Sequence, residues 1–400
     1  WGGTVVIRDT ESGATVCNNG YCRYFQDRFE EEALIIPLRR LCSPDRRSPG
    51  HLQTPLTSGI HCGSVVPVSK RYHCPMPAAH ATVSVIIPAH NAEPYLRETI
   101  ECVRGQTWPR KEIILVDDKS TDATRAVAEE LDVPEMKVVT TPPDRSGASA
   151  ARNVGLENAA GDYVQYLDAD DLLSREKIEA QIRLLETQPA DYVASCRWGK
   201  FKESPADATM EELPVFADFS PLEWLLTSWK GGGMMAIHSW LIPMGVVRNA
   251  GTWDEELTRN PADDGEYMCR VLLQSRGIAF CDTTAAYYRV PEAGHVSSNV
   301  SEEAVRALFM NCERYRQHAL KVENSARVRH ALMVNYARFI YRFHPAYREL
   351  VACARRRIRE LGFERIPGNA VGGARFRRLA ALVGFETALR MRNLFSKACR

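Results

Sequence analysis

Apolar positions are regularly spaced from Val83 onward, and before it they show little order. Val83-Ser84-Val85-Ile86-Ile87 is a continuous apolar run ended by Pro88 and reads as a buried strand. Leu96, Ile100 and Val103 follow at helical spacing within Glu93 to Arg104. A second strand, Glu112 to Val116, ends on Asp117-Asp118, and a helix is expected from Ala123 to Leu131 with Ser120 or Thr121 as N-cap. Met136 to Val139 predicts a third strand, Ala148 to Ala159 a helix, Tyr163 to Leu167 a fourth strand and Arg175 to Glu186 another helix. Strand and helix alternating with short joins imply an α/β fold, a Rossmann-like, mostly parallel sheet with helices on both faces. Ligands of such sheets bind beyond the carboxyl ends of the strands. From about 190 to 298 the pattern mixes strands, tryptophans and loops, including Gly231-Gly232-Gly233, and beyond Ser301 it is helical.

Composition adds bounds. Four hundred residues, 45% hydrophobic and 25% charged, suit a globular protein of one large or two ordinary domains. A net charge of +1 gives no overall call for nucleic acid, although positive charge collects near the C-terminus. Cys102, Cys196, Cys269 and Cys312 fall inside apolar patterns and read as reduced core thiols, which fits a cytoplasmic protein. No apolar run is long enough to span a membrane. Residues 1–80 form an atypical extension, rich in Pro, Arg, Ser and Gly, in which only Thr4 to Ile7 and Ala33 to Leu38 look ordered. Cys17, Cys22, Cys42, Cys62 and Cys74 lack the paired C-x-x-C spacing of a zinc site. Because the chain opens on Trp1, Met76 is a natural start for the domain that follows.

Three of the four strands end in residues with chemistry to offer. Asp168-Ala169-Asp170-Asp171 sets three carboxylates within four residues directly after a strand. Such carboxylates repel one another and call for a compensating cation, for which an oxygen-ligating Mg2+ or Mn2+ is suited. Alone, the run would read as a solvated turn with Asp171 capping the next helix. Asp117-Asp118-Lys119-Ser120-Thr121-Asp122 again sets paired carboxylates at a strand end, where one can accept the ring N–H of a uracil base or Asp118 and Asp122 can cap the helix. Pro88-Ala89-His90-Asn91 turns the chain outward after the first strand. In Ser146-Gly147-Ala148-Ser149-Ala150-Ala151-Arg152-Asn153-Val154-Gly155, small residues let a helix start near a ligand, and Arg152 can offset carboxylates or a diphosphate. Neither a strand-linked G-x-G-x-x-G nor a P-loop is found, which argues against dinucleotide enzymes and P-loop ATPases.

The ordered series I-I-P-A-H-N, V-D-D-K-S-T-D, S-A-A-R-N-V-G and D-A-D-D resembles glycosyltransferase family 2, inverting enzymes of GT-A fold. The likeness is strong over about 82–190 and weaker to about 300; His90 and Lys119 stand where the family usually has Tyr and Gly. It implies a nucleotide-sugar-binding half at 81–190, an acceptor-binding half at 191–300 and a basic helical region at 301–400. Pro88, Ala89 and Asn91 would line the nucleotide, Asp118 would bind the base, and Arg152 and Asp168 would serve the donor. Asp170 would be the direct metal ligand, with Asp168 on ribose or metal-bound water and His295 a third ligand or phosphate contact. In Asn260-Pro261-Ala262-Asp263-Asp264, which resembles the family's acidic pair, Asp264 is the expected general base and Asp263 its near alternative.

The implied reaction moves a sugar from a nucleotide-sugar, by likeness a UDP-sugar, to a saccharide or lipid-linked hydroxyl, in cell-surface polysaccharide or glycolipid synthesis. The rival readings are an inactive nucleotide-sugar-binding scaffold and a sugar nucleotidyltransferase. Retained Asp168, Asp170 and Asp264 speak against the first, and the lack of a Gly-rich basic loop at Pro88 to Glu93 against the second. Trp224, Trp229, Trp240 and Trp253 fall in the acceptor half, where they either stack on sugars or fill the core. The arginines at 355–359 and 375–378, with Leu379, Leu382, Val383 and Leu389, suggest basic amphipathic helices on the inner face of a membrane, or helices packed on the domain. RNA is disfavoured for lack of stacking aromatics.

Overall fold

The computed structural model describes residues 80–257, 260–290 and 301–398, with side chains to 394, and a short strand pair near the N-terminus. The chain divides into two units, Trp1–Lys70 and Arg71–Arg400. In the first, β1 (Ile7–Arg8) and β2 (Thr15–Val16) pair antiparallel. The other expectations for residues 1–79 lie outside the described residues.

The second unit begins with β3 (Val83–Ala89), α1 (Glu93–Arg104), β4 (Lys111–Asp117), α2 (Thr124–Glu130), β5 (Met136–Thr140), α3 (Ala148–Asn158) and β6 (Tyr163–Tyr166). β3 pairs parallel with both β4 and β6, and β4 parallel with β5. Its alternate residues enter different cores: Val83, Val85 and Ile87 pack with Leu96 and Ile100 of α1, whereas Ile86 packs with Ala151 and Val154 of α3. Burial on both faces explains the unbroken apolar run. Gly155 permits the close approach of α3 to β3, since a Cβ there would lie 2.3 Å from Ile86 Cγ2.

The chain continues through β7 (Leu172–Leu173), α4 (Lys177–Glu186), β8 (Tyr192–Phe201), β9 (Thr209–Met210), α5 (Pro221–Thr227), β10 (Ile242–Pro243), α6 (Met244–Ala250), α7 (Asp263–Gln274) and β11 (Gly277–Arg289). β10 closes the first sheet antiparallel to β6, giving the order β10-β6-β3-β4-β5. A second sheet runs β7-β11-β8-β9, with β8 and β11 parallel. β6 belongs to one sheet and β7 to the other, so the acidic turn between them is the crossing from sheet to sheet.

The helical C-terminal region comprises α8 (Glu302–Val322), α9 (Ala326–Phe343), α10 (Arg348–Glu360), α11 (Ala374–Val383) and α12 (Phe385–Ala398). Ser301 and Ser325 cap α8 and α9 by accepting from the Ala304 and Val328 N–H groups. The buried faces of these helices, with Leu332, Tyr336 and Ile340 of α9, share one core with Ile86 and Ile114 of the first sheet. At the start of α2 the two cap readings separate: the side chain that accepts the Thr124 N–H is Asp122, and not Ser120 or Thr121. Trp224, Trp229, Trp240 and Trp253 are all buried, so bulk packing and not sugar stacking accounts for them.

Candidate functional site

The ends of β3 and β4 are tied together before any ligand arrives. The Asp118 N–H donates to the Ala89 carbonyl (2.7 Å), and His90 Nδ1 lies 2.7 Å from the Asp118 carbonyl. Asn91, at φ 52°, accepts the Thr121 N–H on Oδ1 (2.8 Å), while its own N–H donates to Ser120 Oγ (3.0 Å). Asp118 is oriented by two donors on different segments: the Thr141 hydroxyl at 2.6 Å and the Gly147 N–H at 2.6 Å. Gly147 begins α3 at φ 93°, a left-handed conformation open to glycine, which directs that N–H at the carboxylate. A half-buried carboxylate so fixed presents its remaining lone pairs in one direction. Pro88, Ala89, Asn91 and Asp118 therefore form a single shelf at the strand ends.

The acidic turn lies beside this shelf. Asp170 is held mostly out of water, and burial, together with Asp171 and Asp168, pushes its carboxyl up to about 7. Asp171 has a different place. Fully buried, it accepts the Arg289 N–H on Oδ1 (2.7 Å), and its Oδ2 lies 3.0 Å from Nδ1 of buried His238. Burial raises its carboxyl as well, against the pull of His238. Arg289 closes the turn from β11: its Nε donates to the Asp170 carbonyl (2.7 Å), its Nη2 pairs with Glu98 of α1 (2.5 Å), and its guanidinium lies over the Phe201 ring (4.4 Å). The turn is thus braced from both sheets and from α1.

Arg152 joins this turn to the start of α7. Its Nη2 pairs with Asp168 and its Nη1 with Asp263, both at 2.8 Å, so two carboxylates 95 positions apart share one guanidinium. The arginine side chain is 5% exposed, Asp168 31% and Asp263 18%. Arg152 also lies 4.5 Å from the Trp253 ring centroid, and that ring stacks on Tyr267 at 4.0 Å. Tyr166 of β6 meets both rings edge-on, with its hydroxyl 3.0 Å from that of Tyr267. Asn153 adds a second fastening, exchanging hydrogen bonds with the Trp253 backbone (2.7 and 3.0 Å). The Trp253 to Leu257 segment and the α7 start are thereby held against α3.

The two acids of α7 are unlike. Asp263 is engaged by Arg152, by the Ser149 hydroxyl (3.1 Å) and by the Asp264 N–H (2.9 Å). Asp264 accepts the Gly265 N–H (2.7 Å); burial first, and then the neighbouring Asp263, push its carboxyl up to about 7, although Arg152 draws it down. A carboxyl titrating near neutrality is suited to taking a proton from a hydroxyl.

The fold thus brings Pro88, Ala89, Asn91 and Asp118 together, and links Asp168 to Asp264 through Arg152 and Asp263, with Asp170 two residues beyond Asp168 on the same turn. His295 lies outside the described residues. Arg152 meets carboxylates, one of the two partners open to it. Sequence reasoning gave no role to His238 or Glu98, and His238 carries no signal in its neighbours. Two open cavities are lined by neighbours of these residues and not by the acids themselves: one of about 460 Å³ beside Phe201, Lys202 and Val290, the other of about 530 Å³ along Trp253, Glu255, Glu266, Arg270 and His318. Among the described residues no three acidic, histidine or cysteine side chains gather as a ready metal cage.

Comparison with known proteins follows the same outline. Residues 84–240 match the family model described as Glycosyl transferase family 2. The putative teichuronic acid biosynthesis glycosyltransferase TuaG of Bacillus subtilis (strain 168) is 40% identical over 104 residues, 26% of this chain and 41% of that protein. Glycosyltransferase GlyA of Streptococcus pneumoniae serotype 4 is 34% identical over 122 residues, 30% of this chain and 17% of that protein. The chain therefore spans less than half the length of these relatives. In three dimensions it resembles S. aureus TarS 1–349, solved in complex with UDP-GlcNAc, with a TM-score of 0.54 and 17% identity over 78% of this chain and 92% of that one. That likeness is one of fold.

Proposed function

Because residues 84–240 carry a glycosyltransferase family 2 domain, we propose that this chain transfers a sugar, with inversion, from a UDP-sugar to a hydroxyl of a saccharide or lipid-linked acceptor. The observation that carries the reading is the Arg152 link, which sets the donor carboxylate Asp168 and the α7 acids Asp263 and Asp264 around one buried cation.

On this reading Asp118, held by Thr141 and Gly147, accepts the ring N–H of uracil, while the backbone of Pro88 and Ala89 flanks the base. The acidic turn fits a divalent cation. Asp168 and Asp170 are hard oxygen donors, and the raised carboxyl of Asp170 marks a place short of positive charge. Two carboxylates suffice for an ion that takes much of its shell from phosphate and water. Asp170, with Asp168 beside it, would hold Mg2+ or Mn2+, which would supply counter-charge to a diphosphate leaving group. Arg152 keeps Asp168 in place, and Arg289 fixes the backbone of Asp170.

Asp264 then accepts the proton of the acceptor hydroxyl as that oxygen bonds to the anomeric carbon. The bond to the nucleoside diphosphate breaks on the opposite face, through an oxocarbenium-like transition state. Asp263, engaged by Arg152, keeps that cation beside the base. TuaG and GlyA are named as glycosyltransferases, and TarS 1–349 has been solved with UDP-GlcNAc, which supports a nucleotide-sugar donor.

The test is donor hydrolysis over a panel of nucleotide sugars with Mn2+, with Mg2+ and with chelator, on the intact chain and on Asp170→Ala. Slow release of one nucleotide, dependent on metal and lost in the variant, is expected. Folded protein that neither hydrolyses a donor nor binds any nucleoside diphosphate by calorimetry would overturn the reading.

A further inference from the structure

The charge of the chain is unevenly placed. From Ala374 to Ala398, α11 and α12 hold six Lys or Arg against one Glu, in a chain whose total is +1. The basic run at 355–359 is largely neutralised within the fold: Arg355 pairs with Glu386, Arg356 with Glu360, and Arg357 with Glu313 and Glu360. Arg375, Arg377, Arg378 and Arg390 are exposed and have no ion-pair partner among the described residues.

These arginines surround apolar side chains that the fold leaves in water. Phe376 and Ala380 form the inner face of α11, with Phe376 against Tyr341 (4.7 Å) and Phe385 (5.7 Å). On the opposite face Arg375, Arg378 and Leu382 recur at i, i+3 and i+7, one stripe of a helix. Leu382 is 84% exposed and its neighbour Val383 41%. In α12 the inner residues are Phe385, Ala388 and Leu389, and the exposed stripe is Thr387, Arg390 and Leu394, the last 69% exposed. Single exposed leucines are ordinary. Two of them, in helices joined only by Gly384 and ringed by unmatched arginines, make a surface of defined chemistry.

We propose that α11 and α12 dock on the surface of an anionic lipid bilayer, with Leu382, Val383 and Leu394 entering the acyl boundary and Arg375, Arg378 and Arg390 on the lipid phosphates. Aliphatic side chains among cations suit an interfacial helix pair. Single-stranded nucleic acid would call for exposed rings to stack on, whereas Phe376 and Phe385, the aromatic residues of this pair whose side chains are described, are buried. The surface is independent of the reaction assigned above. Among the described residues no helix is long and apolar enough to cross a membrane, so this contact is peripheral.

Co-sedimentation of the full chain with phosphatidylcholine vesicles, with and without phosphatidylglycerol, tests the proposal. Binding is expected on the anionic vesicles and not on pure phosphatidylcholine. Arg375→Gln with Arg378→Gln should weaken it by about fivefold per arginine. Leu382→Glu with Val383→Glu should abolish it, while thermal unfolding and donor hydrolysis stay at parental values, as positions so exposed allow. Absence of binding to anionic vesicles would overturn the proposal. So would full binding by the Leu382→Glu, Val383→Glu variant, because adherence would then be charge alone. A parent that binds vesicles but neither hydrolyses a donor nor binds any nucleoside diphosphate would leave this surface standing and the assigned reaction refuted.

Discussion

Asp264→Asn should make the protein more stable while stopping its chemistry, and the stabilisation should depend on pH. In the folded chain burial and Asp263 push the Asp264 carboxyl from its ordinary 3.8 up to about 7. A raised carboxyl means that above about pH 4 the unfolded chain has released a proton that the folded chain still holds. Stability therefore falls as pH rises from about 4 to about 7, and the loss then persists. The gap is worth about 4 kcal/mol at 1.36 kcal/mol per pH unit. Asp264 is not sealed from water, so about half, or about 2 kcal/mol, is the better expectation. Asparagine carries no charge to desolvate and keeps an oxygen for the Gly265 N–H. Thermal unfolding of parent and variant at pH 8 and pH 4 reads the difference. The variant should melt about 4 °C higher at pH 8 and level with the parent at pH 4. Transfer should fall by roughly 10²-fold or more, and in the parent it should rise through about pH 7 as Asp264 ionises. Equal melting at pH 8, or a gain of the same size at both pH values, would refute the reasoning. Retained transfer would remove Asp264 from the base role.

Two further outcomes follow from the packing around the site. Arg152→Met keeps an apolar stem against Trp253 but leaves Asp168 and Asp263 without their shared cation; a loss of about 3 kcal/mol is expected, the low end for a broken buried pair because Asp168 is part-exposed. Urea unfolding should show the lower midpoint, and donor hydrolysis should fall with it; an unchanged midpoint would mean that the link carries no weight. Gly155→Ala forces a methyl group against Ile86 and should cost about 1–3 kcal/mol by the same assay. A parental midpoint there would show that α3 shifts freely, and that this motif glycine is not needed for packing.

Much of residues 81–190 was legible because its signals are local. The apolar runs at Val83 to Ile87 and Glu112 to Val116 became β3 and β4, and Asp118 and Asp168 lie at or just beyond strand ends, as spacing implied. Cap assignment stayed open at α2, where Ser120, Thr121 and Asp122 are all competent acceptors and only the path of the loop selects Asp122. The four tryptophans at 224, 229, 240 and 253 were ambiguous for a related reason: one residue type serves core and sugar contact alike, and burial decides between them.

By itself the sequence determined the alternation of strands and helices, the carboxylates at their ends and the excess of arginine near the C-terminus. Periodicity and residue type are properties of neighbours along the chain, and they survive without knowledge of the fold. Tertiary structure alone decided which charges meet. Arg152 bridges Asp168 and Asp263, the latter 111 positions away in sequence, Asp171 faces His238 and the Arg289 backbone, and Arg355 and Arg357 of α10 find carboxylates while the arginines of α11 do not. A carboxylate and a guanidinium attract without regard to separation along the chain, so only the packing of sheets and helices determines which pairs come within reach.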